Sequence, residues 1–209
     1  LTISNNTLTA KYNSVAAPSF TFLSSPNVID HSGGSLLANS VLNVTNNIIT
    51  GCNVPNVYSS GLTLINLTGS PLTINVTGNQ LYNDTLNSPG IFTGIASGAG
   101  TAGSTTNILN NQVYNIYKQL PNTTSTQNGI FGITQSAASG YLNIQNNQLH
   151  DYAVSTLSTS NSSTTNTDAI RISTSTISYS ENITGNDIYN INVTMFTTGA
   201  VNVNGINYT

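Results

Sequence analysis

The chain has 209 residues and a formal net charge of −3, with charged residues at only 4% of positions, while Asn, Ser and Thr together exceed two-fifths. Three basic residues, Lys11, Lys118 and Arg171, cannot build the clustered positive face that phosphate binding requires, so nucleic acid is excluded as a partner. No apolar run reaches the roughly 18 residues of a membrane span, and the single Cys52 cannot form an internal disulfide.

In chain order, six segments share one frame: LTISNNTL from Leu1, LNVTNNII from Leu42, LTINVTGNQL from Leu72, TNILNNQV from Thr106, LNIQNNQL from Leu142 and ENITGNDI from Glu181. The second residue of each polar pair is always Asn: Asn6, Asn47, Asn79, Asn111, Asn147 and Asn186, at spacings of 41, 32, 32, 36 and 39 residues. Three places earlier stand Ile3, Val44, Val76, Ile108, Ile144 and Ile183; two places later stand Leu8, Ile49, Leu81, Val113, Leu149 and Ile188. Between the copies falls a second motif, a small residue followed by alternating apolar ones. It reads SFTF at Ser19, GLTL at Gly61, GIFTGI at Gly90, GIFGI at Gly129, AIRI at Ala169 and AVNV at Ala200. Alternation rich in Ile, Val, Phe and Thr predicts strands, and the polar stretches between them, such as SGAGTAGST, predict loops.

The residue before each recurring Asn is Asn5, Asn46, Gly78, Asn110, Asn146 or Gly185. Exchange between Asn and Gly alone marks a backbone position with positive φ, because those residues tolerate the left-handed region best. Each copy therefore turns a corner there. If the turns stack, the asparagines after the corners stack too, each amide donating to the carbonyl of the next, at about 1 kcal/mol net per bond.

This pattern resembles the right-handed parallel β-helix, the solenoid of pectate lyases, related polysaccharide-active proteins and many surface and phage-spike proteins. The resemblance covers nearly the whole chain and implies an all-β fold: one solenoid domain, residues 1–209, of about six coils with long polar loops and an asparagine ladder. Repeats of 32 to 41 residues are longer than the family's usual coil, so loops leave it at some corners. A β-sandwich is the alternative, but it gives no reason for one Asn at one register.

Family members that cleave acidic polysaccharides use clustered carboxylates for calcium and an Arg or Lys as base; no such cluster falls in the repeat frame. Asp151 aligns with Gly51, Asn83, Asn115 and Asn190, and Asp187 with Ile48, Gln80, Gln112 and Gln148, all facing outward. Their offset columns permit the carboxylate spacing of inverting hydrolysis, about 6.5–9.5 Å. Asp30, His31 and Ser32 sit in the longest insertion and, as sequence neighbours on an extended chain, point different ways. His150 shares a column with Thr50, Tyr82, Tyr114 and Tyr189, which predicts an aromatic stack rather than a metal ligand. Cys52 aligns with Asp84, Ile116, Tyr152 and Ile191 in a mixed column without a cation to activate it. Few ionisable groups predict weak dependence of stability on pH.

N-x-S/T matches fall at Asn5, Asn43, Asn66, Asn75, Asn83, Asn122, Asn161, Asn182, Asn192 and Asn207. Chance alone produces about as many in this composition, so the composition rather than the count suggests an exposed, N-glycosylated extracellular surface. Leu1 and Ile3 open inside a strand motif, Val201 and Val203 lie in an unfinished coil, and no charged cap or amphipathic helix is written beside them. From Val201 to Ile3 of a following copy is 11 virtual residues, against 14 from Leu62 to Val76. These four residues are the expected subunit contacts of a head-to-tail homopolymer, unless the chain is a segment of a longer β-helix. The reading at this level is an extracellular structural subunit of a surface filament or pilus-like thread, not an enzyme, with no cofactor or metal. A carbohydrate-active lyase or hydrolase and a glycan-binding viral spike or adhesin are the two alternatives.

Overall fold

The structure, a computed structural model, describes residues 1–9, 27–32, 40–54, 61–69, 71–88, 90–98, 103–120, 129–136, 140–156, 165–173, 180–194 and 201–209. Among these every regular element is a strand, and the chain visits three sheets in turn. The first sheet holds Thr2–Ser4, Val41–Thr45, Thr73–Thr77, Thr105–Leu109, Tyr141–Gln145 and Ser180–Thr184. The second holds Thr7–Leu8, Ile48–Thr50, Gln80–Leu86, Gln112–Leu120, Gln148–Thr156 and Asp187–Thr194, with the short strand Asn53–Val54 also on Gln80–Leu86. The third holds Asn27–Asp30, Leu62–Leu67, Phe92–Ser97, Ile130–Gln135, Thr165–Ile172 and Val201–Tyr208. Within each sheet the spatial order is the sequence order and neighbouring strands run parallel, so the fold is a parallel β-solenoid and not a sandwich.

The corners explain the coil. Asn5, Asn46, Asn110 and Asn146 have φ between 54° and 56°, and Gly78 and Gly185 have φ of 69° and 66°, so the first sheet gives way to the second at the six predicted places. Either side of that corner the frame residues fill the interior. Ile3, Val44, Val76, Ile108, Ile144 and Ile183 stack in the first sheet, and Leu8, Ile49, Leu81, Val113, Leu149 and Ile188 in the second. The middle members of both columns are buried, each contributing about 1.5–3 kcal/mol, and β-branched side chains suit this packing.

The third sheet corrects the second motif. Its core column is Ile29, Ile65, Ile95, Ile133, Ile170 and Ile206, six isoleucines in register. The residue before each also lies in the interior of the middle strands, as at Leu64, Gly94, Gly132 and Ala169, so strict alternation breaks there. Ala169 therefore falls opposite Gly132 rather than Gly129, and Val201 and Val203 pair with Thr165 and Thr167. The 11-residue step reckoned from Val201 does not hold, because Ile206 is the residue aligned with Ile170. The described first-coil strand is Asn27–Asp30; SFTF at Ser19, and Ala200, lie outside the described residues.

The glycines of this extra inward row make room for larger partners. Tyr152 is fully buried in the second sheet, and a Cβ on Gly132 would meet its hydroxyl oxygen while lying 2.6 Å from the Ala169 carbonyl oxygen. Replacing Gly132 by Ala is expected to destabilise the fold by roughly 1–3 kcal/mol through overpacking. Urea unfolding of the two proteins measures the difference, and Tyr152→Phe, which removes the hydroxyl, should restore part of it.

Candidate functional site

The six predicted asparagines form one continuous ladder just past the first corner. Asn6 Nδ2 donates to Asn47 Oδ1 at 2.9 Å, Asn47 to Asn79 at 3.0 Å, Asn79 to Asn111 at 2.9 Å, Asn111 to Asn147 at 3.0 Å and Asn147 to Asn186 at 2.9 Å. Each accepting Oδ1 takes a second hydrogen bond from the backbone N–H of the preceding asparagine, at 2.9 to 3.1 Å. The remaining amide hydrogen goes to a backbone carbonyl of the coil before: Asn47 to Ile3, Asn79 to Val44, Asn111 to Val76, Asn147 to Ile108 and Asn186 to Ile144. Asn47, Asn79, Asn111 and Asn147 are thereby fully buried without orphaned amide atoms.

A second corner escaped the sequence reading although its signal was present. Gly51, Asn83, Asn115, Asp151 and Asn190 all have positive φ, between 52° and 70°, inside or beside strands of the second sheet. The Gly, Asn and Asp exchange in that column is the same mark that located the first corner. Beside it the expected aromatic stack is in place. Tyr82 and Tyr114 lie 5.0 Å apart, Tyr114 and His150 5.2 Å, and His150 and Tyr189 4.5 Å, with interplanar angles of 6° to 15°. An outer amide column was also missed: Asn75 donates to Asn43, Asn107 to Asn75 and Asn143 to Asn107, each at 2.8 Å.

The residues considered for catalysis lie in separate surroundings. Asp151 accepts from Asn190 Nδ2 at 2.9 Å and contacts His150 Nδ1 at 2.7 Å, and these partners hold its carboxyl below the ordinary range. A general acid needs the opposite shift. Asp187 lies in register with Gln148 and is exposed. Ser32 donates to Asp30 Oδ2 at 3.0 Å, and Asn66 to Asp30 Oδ1 at 2.8 Å, so the hydroxyl is bound to the acid and not to His31. Among the described residues no cluster of three metal-ligating side chains occurs.

Two charged residues are inside the solenoid, which the sequence reading did not find. Asp84 is fully buried in the column of Ile116 and Tyr152, where its Oδ1 accepts from the Cys52 backbone N–H at 2.7 Å while Oδ2 is buried without a hydrogen-bond partner. Burial raises its pKa to about 7 against the lowering effect of hydrogen bonds from Cys52. Lys118, also fully buried, follows Leu86 in an inward column and donates to the carbonyls of Ser88, at 2.8 Å, and Gly90. Desolvation lowers its pKa to about 7. Cys52 itself is fully buried.

The sequons sort by the architecture. At Asn43, Asn66, Asn75, Asn83, Asn182 and Asn192 the middle residue of the triplet points inward and the flanking Asn and Thr point outward. Strand alternation thus generates N-x-T matches by itself. Asn5, Asn83, Asn182 and Asn192 are exposed; Asn43, Asn66, Asn75 and Asn207 are half-buried; Asn122 and Asn161 lie outside the described residues.

No described strand pairs with the outer edges of the terminal strands at either end, although Ile29, in the third-sheet strand of the first end, is buried. At one, Ile3 is half-buried and Leu1 67% exposed. At the other, Val201, Val203, Ile206 and Tyr208 are 40%, 44%, 46% and 59% exposed, and Ile183 and Ile188 are only partly covered. Comparison with protein-family models, curated proteins and solved structures gives no match.

Two outcomes follow from these interiors. Asn111→Leu removes the acceptor of Asn79 and the donor to Val76, and is expected to cost roughly 2–5 kcal/mol, against less than about 0.5 for Asn192→Leu on the exposed face; thermal unfolding of both compares them. The low pH sensitivity expected from scarce charge is corrected by Asp84 and Lys118. With its folded pKa above 3.8, Asp84 gives its full support below pH 4 and loses it as pH rises to about 7. With its folded pKa below 10.5, Lys118 penalises folding up to about pH 7 and is relieved between about 7 and 10.5. Stability should therefore pass through a minimum near neutrality, and melting curves of Asp84→Asn should lose the fall between about pH 4 and pH 7.

Proposed function

We propose that this protein is an extracellular structural subunit that joins copies of itself head to tail into a surface filament, with N-glycans on its exposed asparagines, rather than a catalyst. The single observation that carries the reading is the chemistry of the two terminal edges, which no described strand pairs. One presents Asn6 Oδ1, at the start of the inner ladder, to which no described residue donates. The other presents Asn186, which donates to the Ile144 carbonyl and meets no acceptor in a following coil among the described residues, beside the aliphatic rows of Ile183, Ile188 and Ile206. An edge of unpaired strands with matching columns is a template for another copy of itself, and a contact between two different surfaces repeats without closing.

The neighbouring readings draw less support. A polysaccharide-cleaving enzyme finds no general acid in Asp151, whose carboxyl is held below the ordinary range by Asn190 and His150. Sugar binding on the Tyr82, Tyr114, His150 and Tyr189 rings competes with their stacking on one another, which occupies the faces a sugar would need. The extracellular setting rests on the Asn, Ser and Thr surface and its scarcity of charge.

Six strands per sheet at about 4.8 Å spacing give an expected axial rise of about 29 Å per subunit in register. Light scattering over a concentration series, with negative-stain imaging of the same samples, should show threads with that repeat. A single monomeric species at every concentration overturns the proposal.

A further inference from the structure

Where the chain passes from Phe92–Ser97 of the third sheet to Thr105–Leu109 of the first, the interior of the solenoid turns polar. Ser97 is the last inward residue of the one strand, and Ser104 and Thr106 lead into the inward face of the other; each is 1% exposed. No described residue hydrogen-bonds to Ser97 Oγ, Ser104 Oγ or Thr106 Oγ1. The coils on either side are built differently. Register sets Leu67 and Ile74 at the positions of Ser97 and Thr106 in the coil before, and Gln135 and Leu142 in the coil after. All four are buried, so both rows face the core through this stretch.

We infer that this corner is a binding site for ordered water, held by the hydroxyls of Ser97, Ser104 and Thr106. A hydroxyl carries one donor and two acceptor lone pairs, and buried polar atoms of this kind are bonded in folded proteins to protein or to water. A buried water makes about three hydrogen bonds to such groups, and three hydroxyls flanking one corner supply that number. Room is available as well. Ser and Thr are smaller than the Leu and Ile of the coil before, yet the strands cannot close in on them. The backbone bonds Gly98 N to Leu67 O, Ser136 N to Ser97 O, Thr105 N to Leu72 O and Tyr141 N to Ser104 O, at 2.8 to 3.0 Å, keep the coil spacing unchanged. Space that aliphatic carbons fill in the neighbouring coil thus falls here to a small polar molecule. Asp84 Oδ2 and the Tyr152 hydroxyl are also buried without a hydrogen-bond partner, but each has Ile116 beside it in its column and no set of hydroxyls converging on it. The bound water ties the end of the third sheet to the start of the first, at a corner that has no amide ladder.

Magnetic relaxation dispersion of the water oxygen counts molecules held longer than the protein tumbles. It is measured on the native chain and on Ser97→Leu/Thr106→Ile, which repeats the Leu67 and Ile74 pair of the neighbouring coil. The native chain is expected to hold long-lived water, and the double variant about one molecule fewer. Urea unfolding of Thr106→Val gives a second reading, whose sign decides. Val keeps the shape of Thr without its hydroxyl. Removing a hydroxyl that is bonded to water lowers the unfolding midpoint, whereas removing an unbonded one raises it. That reading stands on its own where the double variant does not fold. A native chain without long-lived water, an unchanged count in the folded double variant, or an unchanged or raised midpoint for Thr106→Val overturns the inference.

Discussion

An amide inside a protein must find partners for two hydrogens and an oxygen, and the inner asparagine row meets that demand only when every coil stands directly above its neighbour. Asn79 illustrates the closure: it donates to Asn111 and to the Val44 carbonyl, and its own Oδ1 receives both the amide and the backbone N–H of Asn47. The aliphatic rows alone would tolerate a slip of two residues, since strand alternation returns the same face to the core after two steps. The ladder does not tolerate it, because the slipped asparagines would lose every one of these partners at roughly 1–3 kcal/mol per orphaned group. Hydrophobic burial therefore supplies most of the cohesion, and the amides choose among the registers that burial would allow.

That division explains what could be read from the chain and what could not. The first two sheets and the corner between them were legible because the corner demands a residue type, Asn or Gly, and the asparagine after it can be replaced by nothing else of its shape. The third sheet has no such marker. Its interior takes two consecutive residues, such as Gly132 and Ile133, so a search for strict alternation anchors on the wrong small residue and misplaces Ala169. The second corner could have been found from Gly51, Asn83, Asn115, Asp151 and Asn190, had those residues been read for backbone conformation rather than for side-chain chemistry. Asp84 and Lys118 are a different case. Their burial depends on carbonyls and N–H groups brought to them from elsewhere in the chain, Cys52 for one and Ser88 with Gly90 for the other, and no local pattern announces those partners.

Part of the sparse charge is buried, against the usual arrangement. The chain has nine charged side chains, and Asp84 and Lys118 lie inside the coil while the broad outer faces carry mainly neutral amides and hydroxyls. Asp168, also buried, accepts from Asn204 at 2.7 Å and Asn207 at 3.1 Å, with Arg171 3.9 Å away, and so fastens the last strand of the third sheet to its neighbour. A nearly neutral exterior gives up the long-range repulsion that ordinarily keeps folded chains apart. Control over which surfaces meet must then be local, written into single positions on the edges.

The two amide columns add a further restraint at those edges. In the inner row each amide donates one hydrogen to the asparagine of the later coil, an orientation imposed by the backbone N–H that shares the same acceptor, and the other to a carbonyl of the coil before. In the outer row the direction is opposite, from Asn75 to Asn43, Asn107 to Asn75 and Asn143 to Asn107. The same reversed sense recurs from Asn115 to Asn83, Asn190 to Asp151 and Asn202 to Asn166. Aligned amide dipoles summed along one axis would charge the two ends of the solenoid with opposite partial charges, as they do in a helix. Antiparallel inner and outer columns offset one another instead. Hydrogen-bond donation along the solenoid thus runs both ways, and register is held by individual bonds at a range of one coil.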